Sequence, residues 1–347
     1  MDKKVAGIKD VAELSGLSIA TVSRALGGKG SVSPKSRKLA QDAAAELGFV
    51  LSYAASSLAS GRNHNVGVVV PAVNRWFFSS LVDGISSELI EAGYDLTLYT
   101  TSQNESHRAT ILTDFLLRKR LDAVIAVSLE LTESEIQQLL AIHRPVMGVG
   151  GALPGADSIR VDDFQLAKMA TEHLIGLGHT RIAHIGGANE YDADFKLPRT
   201  RRSGFEVAMQ EAKISYPAEW LQTSDFTVNG AFATAKSLLG TGRTRPTAIF
   251  AASDEMAFGT IMAAYDFGLR VPEDLSVIGI DGHELGEVFG LTTFDQNPRG
   301  QGAHAARRIL AHLEQKSPSE RVQHEPYAEE FPTRLVVRHS TAVPPAP

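Results

Sequence analysis

Apolar residues in the first fifty positions recur at helical spacing, in three short stretches separated by small and polar residues. Helices are predicted over 8–15, 18–26 and 33–47. Ser18 and Ser33 stand where a hydroxyl can cap the second and third helices, and a glycine follows the first and third. This pattern predicts an all-α unit of three small helices.

From residue 66 the pattern changes to short apolar runs that alternate with helical periods. Strands are predicted at 66–71, 94–100, 121–128, 144–150, 181–187, 247–253 and 275–281, and helices at 78–92, 106–119, 166–177, 201–212, 229–239, 254–267 and 300–315. Such alternation is typical of βαβ units with parallel sheets. We therefore expect an α/β core of two doubly wound lobes, with a ligand cleft between them.

The segment between these patterns, 51–62, reads LSYAASSLASGR and is small and polar apart from the isolated Leu58. Its composition predicts a linker, because a segment this short rarely forms a stable helix alone. The last residues, 342–347, are predicted to form a frayed tail.

The 347-residue chain contains no cysteine, which excludes disulfide scaffolds, cysteine nucleophiles and thiolate metal sites. Its first residues lack the apolar core of a signal peptide, and no stretch reaches the roughly 20 apolar residues of a membrane span. We therefore expect a cytoplasmic protein that does not enter a membrane.

Charge is distributed unevenly along the chain, although the net charge is −6. Residues 1–62 carry nine Lys and Arg against five Asp and Glu, and the remainder carries 25 against 35. A basic head on an acidic body is expected if only the head meets phosphate. Chance clustering is the alternative.

The spacing of Ala12, Gly16 and Val22 predicts two helices packed across a tight turn, as in a helix-turn-helix unit. The string IKDVAELSGLSIATVSRAL, followed by VSPKSRKLAQDAAAELGF, resembles the head of the lactose/galactose-repressor (LacI/GalR) family. Thr21-Val22-Ser23-Arg24 is the family's most recognisable string, and the resemblance continues through SLASGRNHNVGVVVP over essentially the entire chain.

The resemblance implies that the helix over 18–26 lies in the major groove of operator DNA. Arg24 is the candidate for a bidentate guanine contact, with a solvated charge as the alternative. Ile19 and Ala20 fall where family members vary to select operators, and they can contact thymine methyl groups or simply pack.

Further DNA contacts are expected from small polar residues and one lysine that suit phosphate positioning: Ser18, Thr21, Ser23, Ser33 and Lys35. The hinge residues Ala55 and Leu58 complete the set, since the family's hinge leucine wedges into the minor groove. Leu51 departs from the proline that is common there.

The family resemblance also places a small-molecule site in the cleft. The expected effector-binding residues are Phe77, Arg201, Phe226, Ser253, Asp281 and Gln296. Arg201 and Asp281 would hold effector hydroxyls or a carboxylate, and the phenylalanines would pack on the apolar face of a sugar. The alternative role for Arg201 is an ion pair with a neighbouring carboxylate. Asp254 caps a helix or contacts the ligand.

Three clusters suggest other chemistry. They are Gly148, Gly150 and Gly151; His173, His179 and His184; and Asp162 with Asp163. The glycines lack the helix and third glycine of a dinucleotide site, and the histidines lack a supporting ligand set. Helix capping explains the aspartates.

The resemblance implies a periplasmic-binding-protein-like core in which the chain crosses between the lobes three times. The expected boundaries are 1–50 for the DNA-binding domain, 51–65 for the hinge, 66–162 and 294–326 for lobe 1, and 163–293 and 327–341 for lobe 2.

Together these features predict a sequence-specific transcriptional repressor, controlled allosterically by a small, sugar-like effector. A homodimer on pseudo-palindromic operator DNA is expected, because one head reads only a few base pairs. No cofactor is expected. A transporter's solute-binding protein would need a signal peptide and no head, and an enzyme would need a nucleophile, a metal set or a phosphate loop.

Overall fold

The structure is a computed structural model that describes residues 6–27, 31–49, 62–101, 105–118, 120–129, 131–187, 196–240, 245–314 and 326–346. The chain divides into two compact units, Met1–His64 and Asn65–Pro347.

The smaller unit contains three helices, α1 (Ile8–Ser15), α2 (Ile19–Leu26) and α3 (Pro34–Leu47), as the apolar spacing predicts. Gly16 ends α1 with a φ of 67°, in the left-handed region that favours glycine, and its N–H bonds back to the end of the helix. The buried core is formed by Val11, Ala12, Val22, Ala25, Ala40, Ala43 and Ala44. Because most of these side chains are alanines, the three helices can pack closely.

The larger unit alternates strands and helices. The strands are β1 (Asn65–Val70), β2 (Asp95–Thr100), β3 (Ala123–Val127), β4 (Val146–Val149), β5 (Asp157–Arg160), β6 (Ile182–Gly187), β7 (Leu221–Ser224), β8 (Ala248–Ala251), β9 (Ser276–Asp281), β10 (Thr292–Asp295), β11 (Ala328–Glu330) and β12 (Arg334–Val336). The helices are α4 (Trp76–Glu91), α5 (Glu105–Thr110), α6 (Glu133–Leu140), α7 (Asp163–Gly176), α8 (Leu197–Glu211), α9 (Val228–Gly240), α10 (Asp254–Asp266) and α11 (Pro298–Glu314). α5 continues as a π-helical turn, Ile111–Phe115, and a 3₁₀ turn, Leu116–Arg118.

The strands form two six-stranded sheets, one in each lobe. The first sheet has the order β11-β5-β4-β3-β1-β2 and is parallel throughout. The second has the order β12-β10-β9-β8-β6-β7 and is parallel except for its edge strand β12, which runs antiparallel to β10. The two-lobed α/β core is thus confirmed, with an antiparallel edge that the sequence pattern did not predict.

Each sheet has a hydrophobic core on both faces, which is why its central strands are continuously apolar. In β3, Ile125 packs with the core on one face, and the adjacent Val124 packs with the core on the other. In β8, Ile249 and Phe250 divide in the same way. Burial on both faces is the arrangement expected of parallel sheets covered by helices.

Helices α4 and α11 pack together on the first sheet through two glycines. A Cβ atom on Gly84 would lie 2.0 Å from the carbonyl oxygen of Arg299, and one on Gly302 would lie 2.0 Å from that of Leu81. The backbones therefore touch, and a larger residue at either position would force the helices apart. This contact attaches α11 to the first lobe, although the strand before it belongs to the second.

The chain crosses from the first lobe to the second between Arg160 and Asp163. It returns to the first lobe between Asp295 and Pro298, and it crosses to the second again after Glu330. The third crossing was predicted near 327, and this position is wrong, because β11 still pairs with β5 of the first sheet. The sequence Ala-Glu-Glu of β11 carries no apolar run that would mark a strand. The predicted start of lobe 1 at 294 likewise falls inside β10, which belongs to the second sheet.

Candidate functional site

Helix α2 begins with the cap that the sequence predicts. The Ser18 hydroxyl accepts a hydrogen bond from the Thr21 backbone N–H at 3.1 Å, and the two hydroxyl oxygens are 2.9 Å apart. Val22 and Ala25 are buried against the other two helices. The cap and these buried contacts fix which face of α2 points outward.

That outward face carries the residues proposed to read bases. Ala20, Ser23 and Arg24 are exposed, and Ile19 keeps 46% of its surface in solvent. Packing within the head therefore does not account for Ile19. Arg24 donates through Nε to the carbonyl oxygen of Ala20 at 3.1 Å, which lays its side chain back along the helix toward the N-terminus of α2.

The start of α3 presents a second polar surface. Ser33 caps the helix by accepting from the Ser36 N–H at 3.1 Å, Pro34 occupies the first turn, and Lys35 is exposed. Helix N-termini with a nearby cation suit phosphate groups. Ala55, Leu58 and Leu51 lie outside the described residues.

A cavity of about 530 Å³ lies between the two lobes. Its lining includes every predicted effector residue: Phe77, Arg201, Phe226, Ser253, Asp281 and Gln296. The lining follows the carboxyl ends of the strands: Thr100 ends β2, Ser128 and Gly150 follow β3 and β4, Ser253 follows β8 and Asp281 ends β9. Open parallel sheets place ligands at this edge.

Arg201 lies on α8 in the second lobe, is 2% exposed and lines the cavity. Its Nε and Nη2 atoms lie 2.8 and 2.7 Å from Oδ1 of Asp163, and Nη1 donates to the carbonyl oxygen of Ala252. The ion pair considered as an alternative for Arg201 is therefore present, and the same side chain still reaches the cavity. Asp163 lines the cavity too, whereas Asp162 is the helix cap and accepts from the Gln165 N–H at 3.0 Å.

Asp281 is buried at the end of β9 and accepts a hydrogen bond of 2.8 Å from the side-chain amide of Gln296. Burial raises the pKa of Asp281 well above its ordinary value; Arg201 opposes this shift, and the charges of Asp254 and Glu255 add to it. The φ of Asp281 is 147°, a backbone conformation that favours glycine. A strained, buried acid beside a ligand cavity is typical of a functional position.

Asp254 has a structural role. Its carboxylate accepts from the N–H groups of Gly282 and His283 at 3.0 and 2.8 Å, and from the Thr293 hydroxyl at 2.6 Å. Burial raises the pKa of Asp254 to about 6. Ser253 is the cap of α10, accepting from the Met256 N–H at 3.3 Å, and it also faces the cavity.

Two aromatic side chains wall the cavity from opposite lobes. Phe77 is half-buried and stands edge-on to Phe78 at 5.5 Å. The Phe226 ring packs against Gly187, where an added Cβ atom would lie 2.2 Å from the ring. Both rings line the same cavity, so each can pack against an apolar face of a bound molecule.

The start of α4 bridges the lobes beside the cavity. Arg75 donates through Nη2 to the carbonyl oxygen of Asp225 at 2.8 Å. Burial raises the pKa of Glu255, and the charge of Arg75 and the backbone N–H of Trp76 oppose this shift. The Trp76 ring stacks on His283 with centroids 4.3 Å apart. We refer to these contacts as the interlobe clasp; they join Arg75 and Trp76 to Asp225, Glu255 and His283.

Comparison with known proteins connects the head and the cavity. Residues 7–52 match the family of bacterial regulatory proteins described as the lacI family, and 171–341 match the periplasmic binding protein-like domain. The HTH-type transcriptional repressor PurR of Vibrio vulnificus is 34% identical over 325 residues, which cover 92% of this chain and 95% of that protein. This chain belongs to the lacI family. It is a DNA-binding transcriptional repressor regulated by a small-molecule effector.

Solved structures of lacI-family proteins show the same architecture. The lac repressor dimer bound to operator and the anti-inducer ONPF superposes with a TM-score of 0.82 at 26% identity, over 98% of this chain and all of that one. The complex of the regulator CelR with cellobiose gives 0.68 at 27% identity, over 96% and 99% of the two chains. A regulator from Enterococcus faecium with bound ribose gives 0.67 at 27%, over 80% and 99%.

Sequence reasoning missed Asp163 and the clasp of this lacI-family chain. Asp163 was interpreted as a cap because it starts a helix, and only the fold brings α7 and α8 together. Arg75 and Trp76 carry no motif, since their partners are about 150 to 200 residues away.

Members of the glycine and histidine clusters make contacts within the core of this lacI-family chain. Gly150 has a φ of 90° and touches Ser128. His179 lies between the hydroxyls of Thr247 and Ser276 at 2.9 and 3.1 Å. Within the described ranges, no group of three His, Asp or Glu side chains could hold a metal, and no helix is long and apolar enough to span a membrane.

Proposed function

We propose that this protein represses transcription by binding a pseudo-palindromic operator as a homodimer, and that a small sugar-like molecule in the interlobe cavity controls this binding. The observation that carries the proposal is the cavity itself. Six residues that the sequence singled out line one cavity of about 530 Å³. Both lobes and a crossing segment contribute these residues. That volume lies within the range of small-molecule sites. The structural neighbours include complexes with cellobiose and ribose.

The head supplies sequence recognition. We assign base reading to the exposed face of α2, with Arg24 on guanine and with Ile19 and Ala20 on thymine methyls. Ser18, Thr21, Ser23, Ser33 and Lys35 position the head on phosphates, and Ala55 and Leu58 of the hinge complete the contact.

The lobes supply control. An effector that contacts both lobes stabilises one arrangement of them, and the hinge passes this preference to the head. The clasp already joins the two lobes in the present arrangement. Differential binding of this kind typically changes operator affinity 5- to 150-fold. Operator DNA is the target, so the protein acts in the cytoplasm.

A dimer supplies the second head that a pseudo-palindromic operator requires. The structural neighbours include a lac repressor dimer on operator. Light scattering at micromolar concentration should therefore give twice the chain mass of 37.3 kDa. A monomer or a stable tetramer would contradict the proposed assembly. The curated relatives are repressors rather than enzymes, and we propose no catalytic role.

The function is tested by sequencing the DNA fragments that the purified full-length protein retains from a random pool. We expect one enriched pseudo-palindrome. Mobility-shift titrations on that site, with and without a panel of sugars including cellobiose and ribose, should then show a shifted midpoint for at least one sugar. Retention without sequence enrichment would contradict the proposed role of the head.

A further inference from the structure

The edge of the first sheet that lies opposite the cavity carries three arginines. The cavity lies at the carboxyl ends of the strands. Arg118 and Arg120 precede β3 and Arg144 precedes β4, so these residues stand at the amino ends. β3 and β4 are hydrogen-bonded neighbours, and neighbouring strands are on the order of 5 Å apart. We refer to Arg118, Arg120 and Arg144 as the basic edge.

Two of these cations are available to a partner. Arg120 is exposed and Arg144 is half-buried, and within the part of the chain that the structure describes neither forms an ion pair. Arg118 is exposed as well, but it pairs with Asp114 at 2.6 Å. We therefore assign the main role at this edge to Arg120 and Arg144.

The nearby acids that the structure describes leave this edge positive. Asp122 is 1% exposed, so its carboxylate is covered rather than presented at the surface. The exposed Glu91 and Asp95 belong to the turn into β2, which β1 separates from β3 and β4. Residues 63–347 carry 25 Lys and Arg against 35 Asp and Glu, so the basic edge is a local exception in an acidic body.

The connection from the DNA-binding head enters lobe 1 at the same edge. β1 begins at Asn65 and pairs with β3, and Nδ2 of Asn65 donates to the carbonyl oxygen of Arg120 at 3.2 Å. When the head is on DNA, the chain tethers this entry point to the duplex, and a short tether raises the effective concentration to roughly the millimolar range. Contacts that are too weak to bind DNA alone can then add to affinity.

We propose that the basic edge contacts the phosphate backbone of DNA while the head reads the bases. Arginine forms charge-assisted hydrogen bonds with phosphate, often through two N–H groups at once. Phosphate contacts position a protein on the duplex but carry no sequence information. The proposal rests on DNA binding by the head and adds a second, sequence-independent contact from lobe 1.

The test measures the salt dependence of operator binding by the full-length protein that carries both Arg120→Ala and Arg144→Ala. Mobility-shift titrations on the enriched operator give the affinity at each salt concentration. Each phosphate contact contributes about 0.9 to the slope of log affinity against log salt, so we expect the slope to be shallower by about 1.8. Raising the salt from about 50 to 200 mM should then cost the variant about tenfold less affinity than it costs the native protein. The preference for operator over unrelated DNA should not change.

Arg181→Ala combined with Arg245→Ala is the matched control. Both arginines are exposed, and they precede β6 and β8, which are neighbouring strands of the second sheet. This control removes the same net charge and should leave the slope unchanged. An equal decrease in both double variants would assign the effect to net charge and overturn the proposal. An unchanged slope in the basic-edge variant would overturn it too, and Lys35→Ala distinguishes this result from a failure of the head's own phosphate contacts.

Because the chain contains no cysteine, proximity to DNA can be measured directly. A cysteine introduced by Arg144→Cys and coupled to iron–EDTA should cleave the bound operator at the nucleotides nearest the basic edge. The same reagent on Arg181→Cys should leave the operator uncut. If the Arg144→Cys protein binds operator but does not cleave it, the basic edge does not contact DNA.

Discussion

Arg201→Ala should destabilise the second lobe strongly, because the guanidinium is part of the fold as well as of the cavity wall. The side chain is 2% exposed and its partner Asp163 is 13% exposed, so little water can replace the lost bonds. Removing one member of a buried ion pair typically costs about 3–5 kcal/mol, since the remaining charge is left uncompensated. The Ala252 carbonyl oxygen also loses its donor.

This loss is large relative to the free energy of unfolding of a domain. Domains are stable by about 5–15 kcal/mol, so the substitution removes about a fifth or more of the stability of a typical domain. The double variant Arg201→Ala with Asp163→Ala should cost less than the sum of the two single variants by about 2 kcal/mol, because neither charge is then left alone.

The assay is urea denaturation of the full-length protein, followed by far-ultraviolet circular dichroism. Arg202→Ala is the matched control, since Arg202 is exposed and pairs with Glu206 on the helix surface. Such a surface pair contributes about 0.3–0.5 kcal/mol. If Arg201→Ala costs no more than Arg202→Ala, or if the two charges of the buried pair show no coupling, the structural role of Arg201 is refuted.

Three further predictions concern other parts of the molecule. Arg24→Ala should weaken operator binding by about 1–3 kcal/mol and relax base preference, whereas Lys35→Ala should weaken binding to all DNA alike and flatten the salt dependence of binding. Competition with unrelated DNA distinguishes the two variants. An unchanged base preference in the Arg24 variant would exclude base reading by Arg24. Burial lowers the pKa of His184 to about 4, so on acidification His184 binds a proton in the unfolded chain before it does in the folded chain. The free energy of unfolding should therefore fall by about 3 kcal/mol as the pH drops from 6.5 to 4. His184→Phe, in a site stacked between two phenylalanine rings, should flatten this pH dependence of the urea midpoint, and an equally steep decline would assign it to other groups. Trp76→Ala removes a stacking contact of about 0.5–1.5 kcal/mol from the clasp and should weaken effector binding up to about tenfold by calorimetry; unchanged affinity would show that the clasp does not favour the bound arrangement.

Strong periodicity made most of the fold predictable. The three helices of the head and the apolar strands buried on both faces were expected from the sequence, because their burial leaves a clear pattern. Short strands at a sheet edge or next to it leave none. β5 reads Asp-Ser-Ile-Arg and β11 reads Ala-Glu-Glu, and both are held in place by neighbouring strands rather than by their own composition.

The candidate site was predictable only where resemblance supplied a position. All six expected cavity residues were found together, although their spacing along the chain gives no sign of proximity. Asp163 could not be recognised as the partner of Arg201, because a helix start explains an aspartate equally well. Contacts between the lobes depend on tertiary packing, which single-sequence patterns do not record.

The stacking of Trp76 on His283 gives this protein an internal optical reporter. The chain contains two tryptophans, and the other, Trp220, is buried in the core of the second lobe. Separation of the lobes would remove the imidazole from the indole face, so the emission of Trp76 should change while that of Trp220 stays constant. Replacing Trp220 by phenylalanine would leave a single emitter at the cleft. Stopped-flow fluorescence could then follow, in unlabelled repressor, those lobe motions that are slower than the mixing time, at the slow end of the microsecond-to-millisecond scale of domain movements.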